Sequence, residues 1–385
     1  MSIEIQESPS LIESALHDSS LFTPWTDPGS GVTSYVLSKR VAPFQQSFYF
    51  VNPSVTPDGR YYWFYTAFPP SGTANYGRAL GVVDFREGTV RSFPETQFLD
   101  ASPGVHPVTG EVYWCSGADI WKRGPRAHDA VVWVNRLPAA LTKGRRPWRV
   151  TTHITFSADG KAINFDAQVG SSWHVGHVPL DGGEPVVWKT FDRCYNHTQF
   201  CPADPALQLI AQDYWTDART GEPGGIEHRM WLLRQGGEPQ VLYPGGGSRM
   251  QGHEWWSADG QRVWYIHYHH GVEYIDIQEG KPVRVWALNT VSHADVDAAE
   301  KFVVADFLPG EAPEERRVVF YDHAKQQETE IVSHLPHPPK GQDEVKYHVH
   351  PHPQFCAEDR LICYTTTVLG QVDVAFVPVA ELLDR

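Results

Sequence analysis

Short blocks of apolar residues recur along the chain with turn residues between them, and no helical period dominates. Blocks such as Tyr61-Tyr62-Trp63-Phe64-Tyr65, Val112-Tyr113-Trp114-Cys115 and Val303-Val304-Ala305-Asp306-Phe307 are rich in β-branched and aromatic residues, which predicts strands. Only Leu11-Ile12-Glu13-Ser14-Ala15-Leu16 reads as a short helix. Thr33 to Ser38, Leu80 to Asp84, Val131 to Val134, Ile226 to Leu233, Val263 to His270, Arg317 to Tyr321, Leu361 to Thr367 and Val372 to Val377 extend the set of strands. Trp215 to Gly225 is a long insertion, and 333–345 a long loop rich in Pro, His and charge.

The strands are organised by a repeated turn. Gly252-His253-Glu254-Trp255-Trp256-Ser257-Ala258-Asp259-Gly260 runs into an Asp-Gly turn, and Thr152-His153 to Gly160 has the same form. In the same register, the segments around His197, His293 and His352 carry His at the marked position, while Asn52 and Pro103 occupy it in two further copies. The turns at Asp58, Thr109, Asp159, Ala203, Asp259, Ala299 and Glu358 lie 40 to 59 residues apart, the period of a four-stranded propeller blade. Seven copies predict an all-β, seven-bladed β-propeller spanning 1–385, with 1–30 as an N-terminal extension. Only two strands are visible after Glu358, so Thr33 to Ser38 is expected to complete the last blade and close the ring.

Equivalent positions of a propeller form a ring around its axis, so five of the seven marked residues would bring imidazoles to one place. A single such His would be read as satisfying its local turn. Five in register need a charge or a metal to organise them. His348, His350 and His352 alternate at period two, so an extended segment would aim them to one side. Two of them with His293 would give a three-nitrogen site suited to divalent Mn, Fe or Zn. Arg229 is unusual inside an apolar strand; as an outward-facing residue it would be surface, as an inward one a carboxylate ligand. His253, followed by Glu254 and flanked by Trp255 and Trp256, has a candidate orienting carboxylate and an apolar wall.

Composition narrows the function. A net charge of −14 disfavours nucleic acid and anionic membrane as partners and leaves room for a short anionic ligand at a locally positive site. The basic run Lys143 to Arg149 reads as a solvated loop or a rim site for an anion. The N-terminal residues lack signal-peptide features, no stretch suits a membrane span, and the five Cys lack metal-finger spacing, so a cytoplasmic protein with reduced thiols is expected. There is no Gly-x-Ser-x-Gly, P-loop or dinucleotide fingerprint.

Asn196-His197-Thr198-Gln199, His228-Arg229-Met230-Trp231, Gly252-His253-Glu254-Trp255-Trp256, Ser292-His293 and His350-Pro351-His352-Pro353 together resemble the oligogalacturonate lyases over roughly residues 45 to 365. These are cytoplasmic seven-bladed propellers that cleave short uronate oligomers by β-elimination with a divalent metal, usually manganese. The resemblance implies His253 as Brønsted base, Arg229 as ligand to the substrate carboxylate, His293, His350 and His352 as metal ligands, and His197, Gln199 and Tyr347 as further substrate contacts. The family's glutamine ligand before the His-Pro-His-Pro segment is absent, and Tyr347 or His348 stands in its place. A lyase for another uronate, of glucuronate or ulvan type, and a non-catalytic metal-stabilised propeller that binds carbohydrate or protein are the alternatives.

Overall fold

The computed structural model describes residues 10–18, 20–99, 102–243, 250–307, 316–338, 344–383 and 385. Among these, seven antiparallel sheets form the blades of a β-propeller, joined by one small two-stranded hairpin. The first blade is Phe44–Gln46, Tyr61–Ala67, Ala79–Asp84 and Thr89–Phe93; the next five follow the same inner-to-outer order, with the small hairpin inserted between the second and third strands of the fourth. The inner strands of the blades that carry the site are Tyr195–Cys201, Gln251–Trp256 and His293–Val296, with Gln354–Cys356 in the seventh.

Neighbouring blades stack face to face, so a middle strand is covered on both sides. This is why Tyr61–Ala67 is buried at every position and reads as a continuous apolar run rather than an alternation. Tyr113, Ile120, Phe165 and Val178 fill the space between the second and third blades, and Trp264, Ile266, Val303 and Val319 that between the fifth and sixth. The hydrophobic driving force thus lies between blades, and it locks their rotation about the axis.

The last blade departs from expectation in one respect. Its sheet runs Phe22–Thr26, Thr33–Leu37, Asp373–Pro378, Leu361–Thr366 and Gln354–Cys356, so the N-terminal part supplies two strands and not one. Tyr35 and Val36 pair with Phe376 and Ala375, and the Phe22–Thr26 hairpin then covers the edge that Thr33–Leu37 would expose. Ser10 caps the helix Leu11–Leu16 through a reciprocal bond pair with Glu13, and Ile12 and Leu16 bury against the blade.

The Trp215–Gly225 insertion is the small hairpin, Trp215–Thr216 with Pro223–Gly224. Of the 333–345 loop, residues 339–343 lie outside the described residues, as do Met1 to Glu7, and Glu344–Tyr347 is one helical turn. All five cysteines are unpaired and buried. No helix among the described residues is long and apolar enough to cross a membrane.

Candidate metal and acid-base centre

The repeat positions converge on the channel because their backbones are bent there. Register shifts between Asn196 and Gln199 and between Gly252 and Trp255 are bulges in the inner strands, at His197 and His253. Both residues sit in the left-handed region, with φ of 49° and 51°, as do His348 at 51° and His352 at 44°. Four of the twelve non-glycine residues with positive φ among the described residues are these histidines, each turned toward the axis at a bulge or a turn. His153 Nε2 lies 2.8 Å from His197 Nδ1, and the His293 ring is centred 4.2 Å from His253 and 4.3 Å from His352.

Tyr49, which the sequence pattern does not single out, stands in the middle: it stacks on His153 at 4.6 Å and meets His352 edge-on at 4.8 Å.

Four imidazoles form a tighter group. His293, His348, His350 and His352 each offer a ring nitrogen, and these nitrogens all lie within 4.8 Å of one another. His293 Nε2, His350 Nδ1 and His352 Nε2 are buried with no hydrogen-bond partner. Three orphaned nitrogens aimed together are costly unless something accepts their lone pairs, and a divalent cation does. Asp306, fully buried, accepts from His293 Nδ1 at 3.0 Å and from the His293 and His352 backbone N–H groups at 2.8 and 3.1 Å. It thereby fixes the His293 tautomer that presents Nε2.

Burial, and then the neighbouring imidazoles, hold His293 and His352 well below the ordinary range and His350 at about 2. Burial, followed by Arg78, brings His348 down to about 4. All four are therefore neutral, the form that ligates. Burial pushes the Asp306 carboxyl up to about 6.

Of Tyr347 and His348, His348 joins the cluster and Tyr347 does not. Tyr347 packs edge-on against Phe44, is 1% exposed, and donates its hydroxyl to the Ser71 carbonyl at 2.8 Å. The helical turn Glu344–Tyr347 rotates it away, and the left-handed His348 then returns the chain to the axis. The gathering of His348, His350 and His352 thus comes from turns, not from an extended segment. Gln199 also lies elsewhere. Two residues beyond His197, it is buried and donates Nε2 to the Glu254 carbonyl at 2.7 Å, bracing the fourth blade to the fifth.

His253 and Arg229 adjoin the cluster in ways the sequence pattern did not anticipate. His253 Nδ1 faces the Ser292 carbonyl, an acceptor only, so Nδ1 carries the proton and Nε2 the lone pair. Tyr268 Oη, 3.1 Å from Nδ1, completes the support. Glu254 is not the orienting carboxylate: it grips Arg229 Nε and Nη2 at 3.2 and 3.0 Å. Trp255 belongs to the core between blades, edge-on to Phe50.

Arg229 precedes the strand Met230–Arg234 and is not inside it. Burial works against its charge, but Glu254 and Asp213 outweigh burial and keep the guanidinium above its usual range. Its Nε edge is occupied by Glu254, and Nη1 donates to the Gln212 carbonyl at 3.2 Å and stands 3.5 Å from Asp213. Asp213 is in turn 3.8 Å from His197 Nε2. Asp306 could have been found from sequence as a lone acid in an apolar strand, the same signal that marked Arg229. Asp213, Tyr268 and Tyr49 carried none.

No protein-family model matches the chain, and no curated protein matches it in sequence. Solved structures do. An oligogalacturonate lyase in complex with manganese superposes with a TM-score of 0.72 at 16% identity, covering 94% of this chain and 97% of its own. An oligogalacturonate lyase from Vibrio parahaemolyticus gives a TM-score of 0.71 at 13% identity, covering 93% and 96%. At these identities the likeness establishes the shared propeller fold.

Proposed function

We propose that the protein is a metal-dependent lyase that cleaves short uronate-containing oligosaccharides, oligogalacturonate-like, by β-elimination. The observation that carries this reading is the set of orphaned imidazole nitrogens beside a separate imidazole, His253, whose lone pair points away from its own hydrogen bonds. Manganese in a structural neighbour's name accords with a divalent ion here, for which Zn and Fe also suit imidazole donors.

His293, His348, His350 and His352 would hold the ion. Once bound, it would neutralise the uronate carboxylate and so acidify the C5 proton. His253 Nε2 accepts that proton, and Nδ1–H stays on the Ser292 carbonyl, which stabilises the imidazolium. The C5–H electron pair becomes the C4=C5 double bond, and the C4–O bond breaks with its pair on the departing sugar oxygen, protonated from solvent. Arg229, held rigid by Glu254, sets its positive charge toward the charge growing on the carboxylate.

Incubation of the Mn-loaded protein with oligogalacturonate should give the ultraviolet absorbance of an unsaturated uronate. No absorbance rise with Mn, Zn or Fe, on oligogalacturonate or on glucuronate-containing oligomers, would sink the reading.

A further inference from the structure

Beside the histidine centre, a cavity of about 330 Å³ opens between the third and fourth blades. Its walls include Trp148, Arg149, Trp173, Asn196, Tyr214 and Trp215. Asp213 links its wall to the centre by contacts: Asn196 Nδ2 donates to Asp213 Oδ2 at 3.2 Å and the Tyr214 N–H to Oδ1 at 2.8 Å, while Arg229 and His197 approach the same carboxylate.

Three features of this cavity await a ligand. Asn196 is 3% exposed, yet its Oδ1 has no hydrogen-bond partner, so a buried acceptor is left for a donor from outside. Arg149 is exposed at a left-handed φ of 49°, and among the described residues no hydrogen bond or ion pair holds its guanidinium. Trp148 and Tyr214 are 53% and 44% exposed, large aromatic surfaces on a cavity rim. The insertion contributes Trp215, which meets Trp173 edge-on at 5.4 Å. A hydroxyl acceptor, an unpaired guanidinium and flat aromatic faces together fit an acidic sugar: its hydroxyls donate, its carboxylate takes the guanidinium, and its axial C–H face packs on the rings.

We propose that this cavity is a second sugar subsite, holding the uronyl unit next to the one at the histidine centre, with its carboxylate on Arg149, a hydroxyl on Asn196 Oδ1 and its ring against Trp148. The inference rests on the oligouronide reading above. It makes the basic run Lys143 to Arg149 a rim site for an anion through its last residue. The subsite selects for chain length, because a single sugar reaches only the centre.

The test uses Mn-loaded protein with His253→Ala, which does not consume its ligand, and calorimetric titration with galacturonate and with digalacturonate. Arg149→Ala and Trp148→Ala should each weaken digalacturonate about tenfold and leave galacturonate within about twofold, with Arg149→Lys in between. Equal weakening of both sugars, or of neither, would overturn the subsite. If the parent forms no unsaturated product while digalacturonate binding still depends on Arg149, the lyase reading fails and the subsite stands. If product forms and Arg149→Ala binds digalacturonate like its parent, the subsite alone fails; if digalacturonate does not bind at all, both fall.

Discussion

At the scale of single residues, neighbouring imidazoles are given different work by what holds their second nitrogen. His293 has Nδ1 on a carboxylate and an orphaned Nε2, a ligand arrangement. His253 has Nδ1 on a carbonyl and Tyr268, the arrangement of a base kept in one tautomer. His253→Ala should therefore abolish elimination with metal content unchanged, whereas His350→Ala and His352→Ala should lose the ion, about one per chain in the parent. Metal analysis of the purified variants beside the product assay separates the roles; loss of metal in His253→Ala would make it a ligand. Arg229→Lys should lower kcat/KM by about tenfold or more, since an ammonium cannot reproduce the two-point grip on Glu254 that holds the charge in place. Parent-like kinetics would reduce Arg229 to a brace for Glu254.

At the scale of elements, the inner strands and the strand behind them form one device. His293 pairs directly with Asp306 in the register of the sixth blade, so imidazole and supporting carboxylate are set by the same ladder. Asp306 also accepts the His352 N–H, which ties the histidine segment before the seventh blade to the sixth blade. Asp306→Asn keeps the volume and removes the charge. It should weaken metal binding about 10- to 100-fold in a competition titration with a chelator, while the circular dichroism of the sheets is retained. Unchanged affinity would show that the backbone alone positions His293.

At the scale of the whole molecule, the ring is closed by strands from both ends of the chain, and the joint contains a pH-sensitive pair. Arg40, just after the N-terminal strands, forms an ion pair with Asp373, at the start of the C-terminal strand, and Gln45 Nε2 donates to Asp373 Oδ1 at 3.4 Å. Burial pushes the Asp373 carboxyl up to about 6 from an ordinary value of 3.8, with Arg40 opposing it only in part. The folded chain thus keeps a proton that the unfolded chain has already released. Stability from this group is full below about pH 4, falls as the pH rises to about 6, and is level above. Asp373→Asn removes that slope, so the thermal midpoint of the parent minus that of the variant should decline between about pH 4 and 6 and then hold constant. A difference flat from pH 4 upward would mean that the closure carries no raised carboxyl.

The sequence by itself determined the architecture and the gathering of the histidines at the axis. A turn repeated at Asp58, Thr109, Asp159, Ala203, Asp259, Ala299 and Glu358 can only be buried as stacked blades, and a residue type recurring at one repeat position must recur around one axis. The histidines and the His-Pro-His-Pro segment were legible for that reason. Tertiary structure alone decided which neighbours they meet. Period two tells which face a side chain takes in a regular strand, but His197 and His253 sit on bulges and His348 and His352 at left-handed turns, where alternation no longer applies. Hence Glu254 turned to Arg229 and not to His253, Gln199 became a brace, Tyr347 went to the core in place of His348, and Phe22–Thr26 joined the last sheet to cover an edge. Contacts between blades join residues far apart in the chain, as with Gln199 and Glu254, and such contacts are set by how the blades pack around the axis rather than by any local pattern.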